Sequence, residues 1–451
     1  RIAMSQPNAT AETGARAARR ARRLIGAIDA APDKSISHRA LIFAALAEGE
    51  TSVENLLESA DVAATAGALK ALGAQLERTG PGAWRIVSEG RWTRPSGPLD
   101  LGNSGTGVRL LTGAAARFDL SARFTGDASL SRRPMARVLD PLAQMGARAD
   151  ASDGGRLPLT LHGRAPLQAI RYQPPVASAQ VKSAILLAGL GADGETCVVE
   201  PSATRDHTEK MAPLFGADLS VERDGAGLLA TVRGPARLTP ADIAVPGDPS
   251  SAAFAIVAAL VTPDSEVTVR GVMTNPARFG LYQTLGEMGA DLTLTPAGER
   301  CGEALVDITA RSSALKGVDV PPERAPSMID EYPILSVAAA FAQGRTHMRG
   351  LEELRAKESD RLAASAAMLQ AAGAAVTLEP DGLIVDGAGA GGVAGGGCVE
   401  TLHDHRLAMS GLVLGLGARD GMTVDDVAMI ATSYPEFLAD MAVLGAVLEA
   451  V

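Results

Sequence analysis

Polar and charged residues of several kinds meet at residues 33–39, directly before an apolar helical pattern. Ser35 and Ser37 are both of the type that caps a helix, since their hydroxyl oxygens can accept a free amide of the first turn. Lys34 and Arg39 bracket the same helix start, although the helix dipole disfavours a cation there by about 0.3–1 kcal/mol. Hydroxyls, free amides and cations in one place indicate an anion-binding site, and the alternative is a pair of solvated surface cations.

Cations recur at or just before other predicted helix starts, namely Arg133, Arg205, Lys357, Arg361 and Arg406. Pro134 suits the first position of a helix, which would leave Arg133 beside a free helix N-terminus. Converging N-termini that carry Lys and Arg describe a cleft for a ligand with several negative charges, such as phosphates and carboxylates. The alternative is ordinary surface ion pairing, which we assign to Arg132 and Lys210.

Asp330 and Glu358 are the candidates for proton transfer. Asp330 lies in a largely apolar helical pattern, whereas Glu358 lies in a charged loop. Nearby cations lower the pKa of a carboxyl group and desolvation raises it, so acid–base work here depends on the three-dimensional arrangement. The alternatives are a helix-start carboxylate for Asp330 and half of a local ion pair for Glu358.

Residues 102–107 form a Gly-rich run that resembles a phosphate-cradling loop, and small residues there would let a ligand approach the backbone closely. The run matches neither the Walker nor the Rossmann pattern, and a plain Gly-rich turn is the alternative. The sequence contains no H-E-x-x-H, C-x-x-C or nucleophile elbow, so metal hydrolysis and Ser-triad chemistry have no support. We expect neither a metal nor a cofactor.

A repeated unit positions these residues. Six predicted amphipathic helices end on a Gly-Ala pair, at roughly 70–85-residue intervals, with the glycines at Gly73, Gly146, Gly216, Gly289, Gly373 and Gly445. A more apolar helix recurs once per unit and starts with capping residues near 35–37, 103–105, 178–180, 248–250, 327–330 and 403–405. Chance recurrence in an Ala- and Gly-rich chain is the alternative. Six units predict two domains of three, with a hinge at residues 244–249.

Composition limits the possible functions. A chain of 451 residues predicts two or more domains, and its net charge of −10 with 3% aromatic residues argues against a nucleic-acid surface. Cys197, Cys301 and Cys398 are far apart and fit a reduced cytoplasmic compartment. No apolar run approaches the length that spans a bilayer. The Arg-rich residues 1–23 are predicted to form a disordered basic tail.

Over about residues 24–451 the chain resembles the EPSP synthase family, the enolpyruvyl transferases of the shikimate pathway. Ten stretches carry the resemblance: 33–39, 101–109, 126–135, 178–184, 204–211, 246–251, 324–333, 354–362, 404–409 and 431–437. It implies an α/β (α+β) fold with two lobes, each of three βαβαββ units around a pseudo-threefold axis. Residues 24–33 with 247–451 would form the first lobe, and residues 34–246 the second, inserted lobe.

The resemblance also implies an activity, the condensation of phosphoenolpyruvate with shikimate 3-phosphate, in a protein that works as a monomer. Shikimate 3-phosphate would contact Lys34, Ser35, Arg39, Ser178, Ala179, Gln180, Arg205, Asp330 and Lys357. Phosphoenolpyruvate would contact Lys34, Asn103, Gly105, Arg133, Gln180, Arg361 and Arg406. Asp330 would accept the proton of the 5-hydroxyl group, Glu358 would donate one to the methylene carbon, and Lys34 would touch both substrates.

Three positions depart from the family pattern. Ala31 and Pro32 precede Asp33 where Pro-Gly is usual, and Thr432 lies near a position where some members carry a phosphoenolpyruvate-binding lysine. Gly105 stands where an alanine narrows the pocket in some class II members. On steric grounds we expect stronger inhibition by glyphosate here than in those members.

Two other functions stay open from sequence. The sister enolpyruvyl transferase, which acts on UDP-N-acetylglucosamine, shares the fold but typically uses a loop cysteine as acid, and none of the three cysteines lies in a comparable charged loop. A non-catalytic anion-binding protein of the same architecture would also explain the cations, but it would not need Asp330 and Glu358 together.

Overall fold

Six small sheets organise the computed structural model, which describes residues 12–225 and 227–451. The strands are β1 (Arg16–Ala18), β2 (Ile25–Asp29), β3 (Glu48–Glu54), β4 (Gln75–Gly80), β5 (Ala83–Glu89), β6 (Leu99–Asp100), β7 (Ser121–Thr125), β8 (Arg148–Ser152), β9 (Arg156–His162), β10 (Leu167–Gln168), β11 (Arg171–Tyr172), β12 (Ala192–Glu200), β13 (Leu219–Asp224), β14 (Gly227–Gly234), β15 (Ile243–Ala244), β16 (Glu266–Met273), β17 (Asp291–Arg300), β18 (Glu303–Arg311), β19 (Asp319–Val320), β20 (Gln343–Arg349), β21 (Ala375–Leu378), β22 (Gly382–Ala388), β23 (Cys398–Val399), β24 (Met422–Val424) and β25 (Leu448–Ala450).

The α-helices pack on these sheets and make the buried contacts between them. They are α1 (Lys34–Leu46), α2 (Ala60–Ala71), α3 (Gly105–Ala115), α4 (Ala128–Arg132), α5 (Ala136–Gln144), α6 (Ala179–Gly189), α7 (His207–Met211), α8 (Pro249–Val261), α9 (Gly280–Glu287), α10 (Tyr332–Phe341), α11 (Arg361–Ala371), α12 (His405–Gly417) and α13 (Phe437–Val443). None of the helices in the described residues is long and apolar enough to cross a membrane.

One βαβαββ pattern accounts for all six sheets, as predicted. In the fifth sheet β19 and β20 are parallel with α10 between them in sequence, α11 follows β20, and β21 and β22 close the unit as a hairpin. The strand order β19-β20-β22-β21 recurs in the other sheets, with β11 as an extra strand beside β12. All six repeated glycines have φ between 75° and 108°, which confirms them as left-handed residues that end a helix.

The buried apolar side chains form two clusters. One draws on residues 18–31 and 252–446, and the other on residues 36–245 with Met273 and Leu305. We call the elements around these clusters the first lobe and the second lobe. The predicted domain boundaries remain a prediction, and these two clusters are the cores on which such domains would be built.

Two chain segments cross between the lobes side by side. The chain passes from β2 into α1, and it returns from β15, which pairs with β3, into α8. The Asp33 amide donates to the Pro246 carbonyl at 2.8 Å, and the Asp248 amide donates to the Ala31 carbonyl at 2.7 Å. Because Ala31 and Pro32 pair directly with this returning segment, their backbone belongs to the hinge itself.

The predicted tail was wrong for the residues that the structure describes. Residues 16–18 form β1, which lies between β24 and β25 and takes the place that β22 holds in the preceding unit. Ala18 is buried in the first lobe's core, and Arg19 points outward to an exposed ion pair with Glu449. The run of basic residues gave no sign of this strand, because its partner strands β24 and β25 come from the other end of the chain. Residues 1–11 lie outside the described residues.

The predicted caps were right for four of the six apolar helices. Ser104, Ser178, Asp248 and Asp404 cap α3, α6, α8 and α12 with their side chains. At α1 the cap is Asp33, whose carboxylate accepts the Ile36 amide at 2.7 Å, because Ser35 and Ser37 already lie inside the helix. At α10 the helix begins only at Tyr332, and Ser327 ends a preceding 3-10 helix.

Candidate active site

A cavity of about 350 Å³ lies between the two lobes, where the starts of the apolar helices converge. Every one of the six predicted helix starts contributes a lining residue. Of the predicted site residues, the cavity is lined by Lys34, Ser35, Gly105, Arg133, Ser178, Ala179, Gln180, Arg205, Asp330, Lys357, Glu358, Arg361 and Arg406. Arg39 and Asn103 are the two predicted residues outside this lining.

Arg39 is buried behind the first turn of α1. Its guanidinium donates to Thr208 Oγ1 at 2.8 Å, to Ser183 Oγ at 2.7 Å and to the Ser35 carbonyl at 2.9 Å. These contacts with the protein direct the guanidinium away from the cavity, so the structure places Arg39 as a support of Ser35.

Arg133 is also supported from behind. Asn103 Oδ1 accepts a hydrogen bond from Arg133 Nη2 at 2.9 Å, and the Asn103 amide group donates to Asp127 at 2.8 Å. The expected helix start after Arg133 was wrong, because α5 begins only at Ala136 and Arg133 follows the last residue of α4. Arg133 therefore reaches the cavity from the end of a short helix.

The second lobe presents Lys34 and Gln180 to the cavity. Lys34 Nζ lies 3.1 Å from Asp61 Oδ2. Gln180 accepts a hydrogen bond from Arg109 Nη1 at 2.9 Å and donates to Thr106 Oγ1 at 3.0 Å. Both side chains are held in place by neighbours from other helices.

Asp330 is the centre of the first lobe's side of the cavity. Its carboxylate lies 2.5 Å from Arg205 Nη2 of the second lobe, 3.1 Å from Arg361 Nη1 and 3.5 Å from Lys357 Nζ. Burial alone would raise the pKa of Asp330, but Lys357, Arg205, Arg406 and Arg361 together hold it well below its ordinary value. Asp330 is therefore ionised at neutral pH.

Glu358 lies between two arginines. Its carboxylate is 2.5 Å from Arg361 Nη2 and 3.7 Å from Arg133 Nη1 of the second lobe. Burial alone would raise the pKa of Glu358, but Arg361 and Arg133 are the strongest of the cations that hold it well below its usual range. Asp404, which caps α12, lies 2.8 Å from Arg361 Nε and fixes that guanidinium from the other side.

Sequence reasoning missed several charged lining residues, among them Asp61, Arg109 and Arg278. Arg109 lies one helical turn after Gly105, so the i, i+4 spacing on α3 could have indicated it. Asp61 and Arg278 meet the other site residues only through tertiary contacts, 27 and 245 residues away from Lys34 and Asp33. No sequence signal marks such pairs.

Two clustered carboxylates and a larger number of cations from both lobes give the cavity its chemical character. Two anionic ligands can bind here with charge-assisted hydrogen bonds, next to ionised carboxylates that can move protons between them. Ion pairs of Arg133, Arg205 and Arg137 with first-lobe carboxylates cross the cavity. These three ion pairs join the two walls of the cavity.

The chain matches one protein family over nearly its whole length. The profile of the family described as EPSP synthase (3-phosphoshikimate 1-carboxyvinyltransferase) matches residues 18–441. The 3-phosphoshikimate 1-carboxyvinyltransferase of Maricaulis maris is 60% identical, over 97% of this chain and 98% of that protein. The protein of the same name from Phenylobacterium zucineum is 58% identical, over 95% and 94%.

Solved structures have the same architecture. EPSP synthase from Acinetobacter baumannii superposes with a TM-score of 0.84 at 40% identity, covering 97% of this chain and 100% of that one. The enolpyruvyl transferase NikO from Streptomyces tendae superposes with a TM-score of 0.76 at 21% identity, covering 97% and 99%, and this likeness shows the fold alone.

Proposed function

Since the chain belongs to the EPSP synthase family, we propose that the cavity between its lobes binds shikimate 3-phosphate and phosphoenolpyruvate side by side. The reaction transfers the enolpyruvyl group of phosphoenolpyruvate to the 5-hydroxyl group of shikimate 3-phosphate, and it releases phosphate. The protein is a transferase of the shikimate pathway, which supplies aromatic amino acid biosynthesis.

Shikimate 3-phosphate would lie between α1, α6 and the loops that carry Arg205 and Lys357. The N-terminus of α6 offers free amides and the Ser178 hydroxyl, to which Lys34 and Arg205 add positive charge. This is the combination that binds a phosphate group. Ser35, Ala179, Gln180 and Asp330 complete the proposed site, and Arg39 acts on it through the Ser35 backbone.

Phosphoenolpyruvate would lie beside it, between Arg133 of the second lobe and Arg361 and Arg406 of the first. All three guanidinium groups line the cavity, and Arg361 is held there by Asp404. Gly105 lets the Arg133 guanidinium lie close against the start of α3, because a Cβ atom there would be 2.6 Å from Arg133 Nη1. Lys34 would reach both proposed substrate positions. A planar guanidinium binds a carboxylate or phosphate through two donors, which suits a ligand that has both.

The proposed chemistry moves two protons in the addition step. Asp330 accepts the proton of the 5-hydroxyl group while that oxygen attacks C2 of phosphoenolpyruvate, and Glu358 donates a proton to the methylene carbon. Glu358 is ionised beside Arg361 and Arg133, so it must first take up a proton. The negative charges of phosphoenolpyruvate would offset both arginines and raise the pKa of Glu358. In the elimination step the ionised Glu358 takes back a proton from the new methyl group while the C2–O bond to phosphate breaks, which gives 5-enolpyruvylshikimate 3-phosphate and phosphate.

The observation that carries this assignment is the pair Asp330 and Glu358 inside a cavity whose lining holds more cationic than anionic side chains. Phosphate release with phosphoenolpyruvate and each acceptor tests the function. We expect release with shikimate 3-phosphate and none with UDP-N-acetylglucosamine, because none of the three cysteines is among the residues that line the cavity. Release with the second acceptor alone, or with neither, would contradict the proposal.

We also propose that the protein works as a monomer in the cytoplasm. One chain supplies both walls of the cavity, and Cys197, Cys301 and Cys398 are all free thiols. A molecular mass near 46 kDa in solution, measured by light scattering, is the expected result.

A further inference from the structure

Arg278 lies where the two crossing segments pass between the lobes. It ends the short 3-10 helix Pro276–Arg278 of the first lobe, and only 3% of its surface is exposed. Arg278 is also one of the residues that line the cavity.

One guanidinium binds the caps of two helices from different lobes. Arg278 Nη1 donates to Asp33 Oδ2 at 2.8 Å, and Nη2 donates to Asp248 Oδ1 and Ser250 Oγ, both at 2.9 Å. Asp33 caps α1, which begins with Lys34, and Asp248 caps α8. Arg278 therefore joins the start of the helix that carries Lys34 to the first lobe.

A fourth contact extends this cluster. Arg278 Nη1 lies 3.1 Å from His207 Nε2, and because a guanidinium can only donate, that nitrogen must be the acceptor. The ring proton of neutral His207 is then on Nδ1, which faces Glu303 Oε1 at 3.3 Å. Glu303 lies at the tip of the β17–β18 hairpin of the first lobe, whereas His207 begins α7 of the second.

The ligand atoms of Asp206, His207 and Glu303 lie within 4.8 Å of one another, as in a metal site. Protein donors already occupy this position, however. Lys210 Nζ lies 2.8 Å from Glu303 and 3.5 Å from Asp206, and the Asn275 amide donates to both carboxylates. These donors balance the carboxylates, so the group belongs to a hydrogen-bonded hinge cluster.

We propose that Arg278 is a positioning residue for the transfer reaction, which sets where Lys34 and Ser35 of the second lobe stand relative to Asp330 of the first. The inference rests on the proposed function of the same cavity. Arg278 does not bind substrate, because four of its five N–H groups donate to protein atoms and the fifth, on Nε, is buried.

Replacement of Arg278 by Lys tests this proposal. A single ammonium keeps the charge but cannot reach both caps and His207, and a displacement of about 1 Å can cost about 100-fold in rate. We expect kcat with shikimate 3-phosphate and phosphoenolpyruvate to fall about 100-fold, while calorimetry still shows one binding site for shikimate 3-phosphate per chain. Arg117→Lys is the matched control, because Arg117 donates to the Ala236 carbonyl within the second lobe.

The outcomes separate the inference from the function on which it rests. A kcat of Arg278→Lys within about twofold of the Arg117→Lys value would overturn the positioning role, whereas an inactive wild-type enzyme would overturn the function. If Arg278→Lys does not fold, His207→Gln and His207→Ala replace it. Gln can accept from Arg278 and donate to Glu303, and Ala can do neither, so equal kcat values for the two would contradict the proposal.

Discussion

Two buried clusters of charge show how a binding site differs from a structural ion pair. In the interior of the second lobe, Lys182 lies 2.7 Å from Glu200 and 2.5 Å from Glu209, with all three side chains at most 5% exposed. Burial alone would lower the pKa of Lys182, but the two carboxylates raise it. The cluster has no surplus positive charge, and none of its three residues lines the cavity.

In the cavity, by contrast, positively charged side chains outnumber negatively charged ones. Asp330 and Glu358 lie among Arg205, Lys357, Arg361 and other cations that outnumber them, and the pKa of each carboxyl group is held well below its ordinary value. Burial without enough opposite charge is unfavourable, so the surplus cations are stabilised only when an anion binds. The comparison indicates that charge balance and access, more than the number of ion pairs, distinguish the two regions.

The largest effect we expect comes from Asp330→Asn. The amide keeps the shape of the side chain but cannot accept the proton of the 5-hydroxyl group, so kcat should fall about 10²- to 10⁴-fold. Steady-state phosphate release measures it. Asp386→Asn, which breaks an exposed pair with Arg345, is the control. Undiminished turnover of Asp330→Asn would remove Asp330 from the mechanism and weaken the contrast between the clusters.

Lys182→Met should lower the stability of the protein and leave its activity unchanged, in contrast to Asp330→Asn. Loss of the ammonium leaves Glu200 and Glu209 buried without a cation, which should cost about 3–5 kcal/mol in the free energy of unfolding. Because Lys182 is not among the residues that line the cavity, kcat of the folded protein should stay within about twofold. Urea denaturation and the phosphate assay measure the two quantities. A large loss of kcat with unchanged stability would mean that both clusters serve catalysis.

Much of the fold and the site was predictable from sequence, because the signals are local. Caps such as Ser178 and Asp248, and the six left-handed glycines, mark helix ends within a few residues. Lys34, Arg361 and Arg406 lie in the first turns of α1, α11 and α12, so these local signals indicate their positions.

Tertiary contacts explain what sequence reasoning missed. The strand β1 pairs with β24 and β25, about 400 residues later, and Arg39 turns to Thr208 and Ser183 on other helices. The hinge cluster around Arg278 likewise joins Asp33, His207 and Asp248, which no spacing rule connects. These assignments depend on which elements pack together, and one sequence does not show that.

The pH dependence of stability should differ between Glu358 and its amide variant. A carboxyl group whose pKa is lower in the folded protein adds stability that is complete above its unfolded pKa and is lost as the pH falls through the folded value. Glu358→Gln should therefore lower Tm by a few degrees at pH 7. The difference should disappear only well below pH 4.5, the ordinary value of Glu. Calorimetric scans from pH 7 to pH 3 measure it, and a difference that vanishes near pH 6 would show that Glu358 is not held ionised.

The smallest effect we expect is that of Gly105→Ala, which tests how tightly the guanidinium groups of Arg133 and Arg109 pack against the start of α3. A Cβ atom at Gly105 would lie 2.6 Å from Arg133 Nη1 and 2.9 Å from Arg109 Nη1, so both guanidinium groups must move. Because only the flexible ends of these side chains are displaced, we expect KM for phosphoenolpyruvate to rise about two- to tenfold with little change in kcat. Inhibition by glyphosate should weaken, since the methyl group also narrows the same space.

Gly67→Ala is the matched control for that change, because a Cβ atom at Gly67 in α2 meets nothing within 4 Å. Steady-state kinetics with and without glyphosate compare the two variants with the wild type. Equal KM and equal inhibition in all three would show that Arg133 moves freely in the empty cavity. The positions of the cavity's cationic side chains would then depend on the bound substrate, whereas the fold alone fixes those of the Lys182 cluster.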